Sequence, residues 1–243
     1  GDGSTCKVLH PARAVVNGLD AAFLAKAGMT GPEHIFEAKD GGLLTAMSDG
    51  GAISQLSQGL GEVYEILNMD MKPYPCCRSA HCAIDGILEI REQMEKRMGL
   101  KIQNKPEAEI LVQQISEIEI DTYLVGYKQC AVSDGCLHPK TILDAKFSTP
   151  YSVAAAFLYG SVGMEQFDPE VVLDPAVQKL LEKVRVRPLE RFTEQYPKHW
   201  GCHVKVIMQD GTAYEAEVED PSGSVARPLS RKQAMKKAEE FLS

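Results

Sequence analysis

Stretches of helical hydrophobic spacing alternate along the chain with shorter stretches of period two, and their order sketches a fold. Val15, Val16, Leu19, Phe23 and Ala27 recur at helical spacing, with Pro11 at the start and Gly28 as a stop, so residues 12–27 read as a helix. A loop, a short helix and a glycine-rich loop follow, and "ISQLSQGLGEVYEIL" reads as mostly helical despite its two glycines. Ile84, Ile87, Leu88, Arg91, Met94 and Met98 trace one side of a stronger helix from His81 to Gly99, with Ser79 available as its N-cap. The period then changes. In "AEILVQQISEIEIDTYLVGY", Ile110, Val112, Ile115, Ile118 and Ile120 are β-branched with partial alternation, which predicts one or two strands.

Residues 142–159 return to a helical pattern, and "VQKLLEKVRVRPLERF" starts helical and ends extended at "VRVRP". "CHVKVIMQDGTAYEAEV" predicts a hairpin, because two alternating runs meet at Asp210-Gly211, a favoured turn pair. Ser230 and Gln233 have capping-box spacing before "AMKKAEEFL". Both element types occur with few strict β-α-β alternations, so the expected class is α+β rather than a doubly wound sheet. The expected organisation is a helical piece over 1–66, an α+β domain over 67–225 and a terminal helix over 226–243 that docks elsewhere. No internal repeat or low-complexity tract interrupts it.

Composition narrows the function classes. The 243 residues hold 26 Lys and Arg against 34 Asp and Glu, a net charge of −8 that argues against general nucleic-acid or anionic-membrane binding. Local cationic pockets for small anions remain open. No apolar run approaches the roughly 20 residues of a membrane helix, and the N-terminus lacks a basic region leading into an apolar one, so neither a span nor a secretory signal is expected. Seven cysteines, an odd set with three crowded between 76 and 82, fit a reducing cytoplasm better than a disulfide framework. The chain has no initiator Met and enters a helical pattern within about ten residues, which points to a start inside a longer protein.

The densest chemistry lies in "KPYPCCRSAHC", residues 72–82. A zinc site is disfavoured, because structural zinc pairs its ligands as C-x2–4-C and adjacent Cys76 and Cys77 project differently. A redox thiol stays open, since Arg78 and a following helix N-terminus would favour a thiolate; the plain alternative is that these cysteines are small buried hydrophobes. A third reading is an anion-binding turn: Lys72 and Arg78 flank a helix N-terminus, and His81 in its first turn can exchange a proton near neutral pH. "STCKVLHP" places Lys7 and His10 beside a helix start, and "DAKFSTPYSVAAAFLYG" places Lys146, Ser148 and Tyr151 similarly. Each of these two alone reads as a capped, solvated helix end.

Together the segments resemble one family. "KVLHPARAVVNGLDAAFLAKAGMTGP", "KPYPCCRSAHCAIDG", "DAKFSTPYSVAAAFLYGSV" and the tail "WGCHVKVIMQDGTAYEAEV…RPLSRKQAMKKAEEF" occur in the order seen in the MmgE/PrpD family. That resemblance implies a large helical domain, represented by 1–66, an α+β lid over 67–225, and a terminal helix returning to the helical domain. It implies a homodimer with a cleft for small polycarboxylates and no cofactor or metal. The implied activity is that of a lyase or isomerase, a dehydratase, decarboxylase or epimerase moving a proton next to a carboxylate. In that frame His81, Lys7 and Tyr151 are the catalytic candidates, with His81 first as acid or base. Lys72, Arg78, Lys146, His10 and Cys77 are the substrate-binding candidates, since cations placed around a developing carbanion stabilise it. Two departures stand out. The family's long upstream helical portion is not in this sequence, so a non-catalytic remnant that binds a ligand or partner chain is the rival reading. Cys77 also replaces the histidine of the decarboxylases and the acidic residue of the 2-methylcitrate dehydratases, so neither activity transfers directly.

Overall fold

A computed structural model describes residues 6–240, and these fall into two units that divide between Met69 and Asp70. The first unit begins with helix α1 (Cys6–Lys26), which ends as expected just before Gly28 at φ +93°, a left-handed stop. Pro11 lies inside the helix rather than at its start, because five residues precede it. The apolar stripe of α1 is exposed, with Phe23 at 69% and Val15 at 62%. After the short α2 (Leu43–Met47), the stretch expected to be mostly helical forms only two 3-10 turns, Ile53–Leu56 and Glu65–Asn68. Gly59 and Gly61 between them take positive φ, which no α-helix accommodates.

The second unit holds the core. Helix α3 (His81–Met98) follows a 3-10 turn at Arg78–Ala80 and stops at Gly99 in the left-handed region. Ile84, Ile87, Ile90 and Met94 are fully buried. Each contributes about 1.5–3 kcal/mol by leaving water, more than the ~1 kcal/mol a cap supplies, so the stripe fixes how the helix lies. Ser79 does not cap α3; it sits within the 3-10 turn, and its hydroxyl hydrogen-bonds Gln129 at 3.0 Å.

Ile110 and Val112, expected in a strand, belong to helix α4 (Lys105–Gln114). Asn104 caps it, its side chain accepting from the Glu107 N–H at 3.1 Å, while Glu107 reaches back to the Gln103 N–H at 2.8 Å. Strand β1 (Ile115–Thr122) then carries the predicted alternation, with Ile118 and Ile120 fully buried. Short helices α5 (Leu124–Cys130), α6 (Asp134–Leu137) and α7 (Ile142–Lys146) lead to α8 (Thr149–Tyr159). The single helix expected over 142–159 is thus two. Ser148 breaks it by capping α8, accepting from the Tyr151 N–H at 3.0 Å with Pro150 in the first turn.

Helices α9 (Pro169–Val172) and α10 (Pro175–Leu181) precede β2 (Val184–Pro188), so the helix-then-strand reading of that segment holds. Helix α11 (Glu190–Gln195) leads to the hairpin of β3 (Cys202–Met208) and β4 (Ala213–Val218), turned at Asp210-Gly211 as the sequence predicts. Helix α12 (Arg231–Glu240) begins with the expected capping box: Gln233 accepts from the Ser230 N–H at 2.9 Å, and Ser230 from the Gln233 N–H at 3.3 Å. The sheet order is β2-β1-β3-β4, with β1 and β2 parallel and the other pairs antiparallel. Helices on a mixed sheet make an α+β fold.

Helix α3 packs on β3, β4 and α8. Gly86 permits this approach, because a Cβ there would lie 2.8 Å from Val204 Cγ2. No described helix is long and apolar enough to cross a membrane.

Candidate functional site

The site is built where the 72–82 segment turns into α3. Cys77 is extended, and its N–H donates to the Lys146 carbonyl at 2.8 Å. That bond ties the turn to the end of α7, so two cations distant in sequence, Lys72 and Lys146, flank one turn. Lys72 is exposed, and its Nζ donates to the Cys76 carbonyl at 3.1 Å. Lys146 is half-buried, with its Nζ 5.7 Å from the centre of the Phe167 ring.

Arg78 is buried and held on three sides. Its Nη2 pairs with Asp70 Oδ2 at 2.9 Å, and its Nη1 donates to the Ser222 carbonyl at 3.0 Å and lies 3.1 Å from His81 Nδ1. Among the described residues its Nε has no hydrogen-bond partner. The guanidinium therefore braces the 221–227 loop as well as cationising the turn. The same loop is fixed by the Ser222 N–H, donating to Asp85 Oδ2 at 2.7 Å, and by the Met71 N–H, donating to the Gly223 carbonyl at 2.7 Å. Asp85 also accepts from the Tyr74 hydroxyl at 2.6 Å.

His81 is fully buried, with its ring edge-on to Tyr74 at 5.1 Å. A guanidinium can only donate, so Nδ1 accepts from Arg78 and a neutral ring carries its hydrogen on Nε2. Nε2 makes no hydrogen bond of ordinary geometry among the described residues. Burial first, then the charges of Arg78 and Lys72, push the His81 pKa down to about 3, against a smaller opposing pull from the Cys76 carbonyl. The ring is neutral at pH 7. That differs from the sequence expectation of titration near neutrality, and the reason is burial beside a cation, which no sequence spacing reveals.

Cys77 is the titratable group nearest neutrality here. A hydrogen bond from the Cys130 thiol, outweighing burial, with help from the Ser79 N–H and hydroxyl and from Lys72, brings its thiol down to about 6. Its sulfur lies 4.0 Å from Gln129 Oε1. Behind it Ser79 links Gln129 at 3.0 Å to the buried Tyr123 hydroxyl at 2.8 Å, and the Tyr123 ring stacks on Tyr196 at 4.6 Å.

Three sequence candidates remain. Tyr151 is fully buried, and its hydroxyl donates to the Gln166 carbonyl, so it serves α8 packing rather than facing the turn. Lys7 and His10 are exposed on α1 in the first unit. Sequence reasoning missed Asp70, Asp85, Ser222, Gln129, Tyr123 and Cys130. Only Asp85, four residues after His81 on one helix face, carried a local signal; the others reach the turn through tertiary contacts. Away from the turn, His199, Glu219 and Asp220 are close enough among the described residues to share a cation, with His199 Nδ1 2.9 Å from Asp220. The cysteine-rich turn contributes nothing to that group.

Comparison with known proteins places the chain. The MmgE/PrpD C-terminal domain matches residues 74–243 and the MmgE/PrpD N-terminal domain matches residues 1–56. The chain belongs to the MmgE/PrpD family. It is 27% identical over 232 residues to the cis-aconitate decarboxylase-like protein oryM of Aspergillus oryzae, covering 91% of this chain and 45% of that protein. It is 24% identical to the cis-aconitate decarboxylase of Mus musculus, covering 93% and 43%, and 24% identical to the mitochondrial 2-methylcitrate dehydratase of Yarrowia lipolytica, covering 86% and 38%. The chain spans less than half the length of these curated relatives.

Proposed function

We propose that this chain carries the α+β half of a cofactor-independent lyase or isomerase that moves a proton next to a carboxylate of a small di- or tricarboxylic acid. The observation that carries the reading is the Arg78–His81 pair. A guanidinium donating into Nδ1 drains electron density from the ring and makes the opposite Nε2–H a stronger hydrogen-bond donor. A neutral imidazole of this kind suits the stabilisation of charge that develops when a proton leaves the carbon beside a carboxylate. Lys72 and Lys146, on either side of the same turn, supply cations for substrate carboxylates. The names of the relatives, a decarboxylase and a dehydratase of tricarboxylates, support the substrate class. Lys7 and His10 on α1, together with a homodimeric assembly, belong to the proposal for the whole enzyme.

The test is exchange of carbon-bound hydrogen for solvent deuterium, followed by NMR, across citrate-like, malate-like and aspartate-derived acids. The expected result is exchange in at least one acid, reduced about 100-fold or more by His81→Asn, the size typical of losing a positioned donor. Undiminished exchange in that variant would remove His81 from the chemistry. A rival reading, a binding remnant without catalysis, draws on the exposed apolar stripe of α1. It predicts saturable binding of the same acids with no exchange in any of them.

A further inference from the structure

Arg78 is a buried cation, and the direction of its guanidinium decides what His81 Nδ1 meets. Among the described residues the carboxylate paired with it is Asp70. Asp70 stands eight residues upstream, before the 3-10 turn and α3 begin, so no helical spacing brings the two together. Each oxygen of that carboxylate has its own partner: Oδ2 accepts from Arg78 Nη2 at 2.9 Å, and Oδ1 accepts from the Val225 N–H at 3.1 Å. The backbone beside the contact is fixed as well. The Met71 N–H donates to the Gly223 carbonyl at 2.7 Å, and a Cβ on Gly223, whose φ is +77°, would lie 1.9 Å from the Met71 carbonyl. Asp70 thus stands between the 221–227 loop and the guanidinium, held by the first and holding the second.

We infer that Asp70 is a positioning residue, which through Arg78 keeps His81 in the tautomer that carries its hydrogen on Nε2. A guanidinium is planar, so fixing two of its nitrogens fixes the plane. Asp70 fixes Nη2. Nη1 then offers one hydrogen to the Ser222 carbonyl at 3.0 Å and the other to His81 Nδ1 at 3.1 Å. A ring nitrogen that accepts carries no hydrogen, so the neutral ring has it on Nε2. The Ser222 carbonyl does not suffice by itself, because a neutral acceptor binds a cation less strongly than a carboxylate does. Without its anion Arg78 is an unpaired buried charge, which turns towards water or another acceptor and leaves Nδ1.

The neighbours of Asp70 make a carboxylate hard to replace there. Both groups that face it are donors, and an ionised carboxylate accepts on both oxygens. An amide of the same shape accepts on one side and donates on the other. Asp70→Asn therefore sets N–H against N–H at either Arg78 or Val225, and it removes the charge that balances the guanidinium. Asp70→Glu keeps the charge and both acceptors, and the 39% exposure of the Asp70 side chain leaves room for the added methylene. Asp85, a second carboxylate at the loop, does not substitute for it. Its oxygens are taken by the Tyr74 hydroxyl, the Ser222 N–H and Arg227 Nη1 at 3.4 Å.

The inference rests on the proposed role of His81 as the donor at this turn, and its test separates the two. The intact chain, isotopically labelled at its histidine ring nitrogens, is read by NMR at neutral pH, with the His81 signals identified by their absence from His81→Asn. The unaltered chain should show hydrogen on Nε2 and a hydrogen-bonded Nδ1; a mixture of tautomers there overturns the inference before any variant is made. Asp70→Asn should show a fraction with hydrogen on Nδ1, and Asp70→Glu should return the ring to a single form. A merely structural Asp70 would lower the unfolding temperature and leave the tautomer of the folded chain unchanged. Unchanged His81 signals in Asp70→Asn therefore overturn the inference, as does a mixture that Asp70→Glu leaves undiminished. With an acid that the unaltered chain exchanges, Asp70→Asn should lower the deuterium-exchange rate at saturation about 10-fold or more, with half-saturation little moved. A full rate beside an altered tautomer overturns the positioning role. Absence of exchange in the unaltered chain would instead strike the proposed function and leave the tautomer result standing.

Discussion

Acidification tests the buried neutral His81 directly. In the unfolded chain a histidine takes up its proton near pH 6.5, whereas in the fold burial, Arg78 and Lys72 hold that step down to about 3. The unfolded state therefore binds more protons across this window. Stability is fully present above about pH 6.5 and falls as the pH drops towards 3. Each pKa unit is about 1.4 kcal/mol, so the full difference approaches ~5 kcal/mol, and moving from about pH 7.5 to about pH 5 removes ~2 kcal/mol of it. The comparison protein is His81→Asn, whose side-chain oxygen can still accept from Arg78 but which does not titrate. Urea unfolding of both proteins across that range isolates the term, since the other titrating groups are common to both. The wild type should lose about 2 kcal/mol more than the variant. Parallel pH profiles, within a few tenths of a kcal/mol, would refute the picture of a ring held neutral by burial beside a guanidinium.

Other expectations follow from the same contacts. Gly86→Ala should destabilise by about 1–3 kcal/mol in thermal or urea unfolding, because its Cβ meets the branched Val204 side chain at 2.8 Å and overrides the gain in helix propensity. A stabilised variant would show that α3 can move off the hairpin at no cost. Asp85→Ala should cost about 2–4 kcal/mol, since it removes the acceptor for both the Tyr74 hydroxyl and the Ser222 N–H. Amide hydrogen exchange should then rise across residues 221–227, and unchanged protection there would contradict the role of Asp85 in closing that loop.

Much of this fold was legible wherever one local signal was strong and unopposed. The hairpin followed from two alternating runs meeting at Asp210-Gly211, α3 from five apolar residues at helical spacing ahead of Gly99, and α12 from the Ser230–Gln233 box. Misreadings came where two signals competed. Ile110 and Val112 looked like strand residues, but the Asn104–Glu107 cap and Pro106 start a helix there. Ser148 and Pro150 likewise restart a helix inside an unbroken apolar pattern. In "ISQLSQGLGEVYEIL" the two glycines outweighed the hydrophobic period.

The sequence by itself determined the family, the α+β class and the location of the candidate chemistry in the turn before α3. These depend on residue types and short spacings, which the chain displays directly. What the tertiary structure decided is how those residues behave. It buried His81 against Arg78 and made it neutral, set Gln129 beside Cys77, and brought Lys146 to the turn through one backbone hydrogen bond. It also withdrew Tyr151 into the core. Protonation, access and partnership depend on which groups meet in space and how much water is excluded around them, and these are set by packing between segments that lie far apart along the chain.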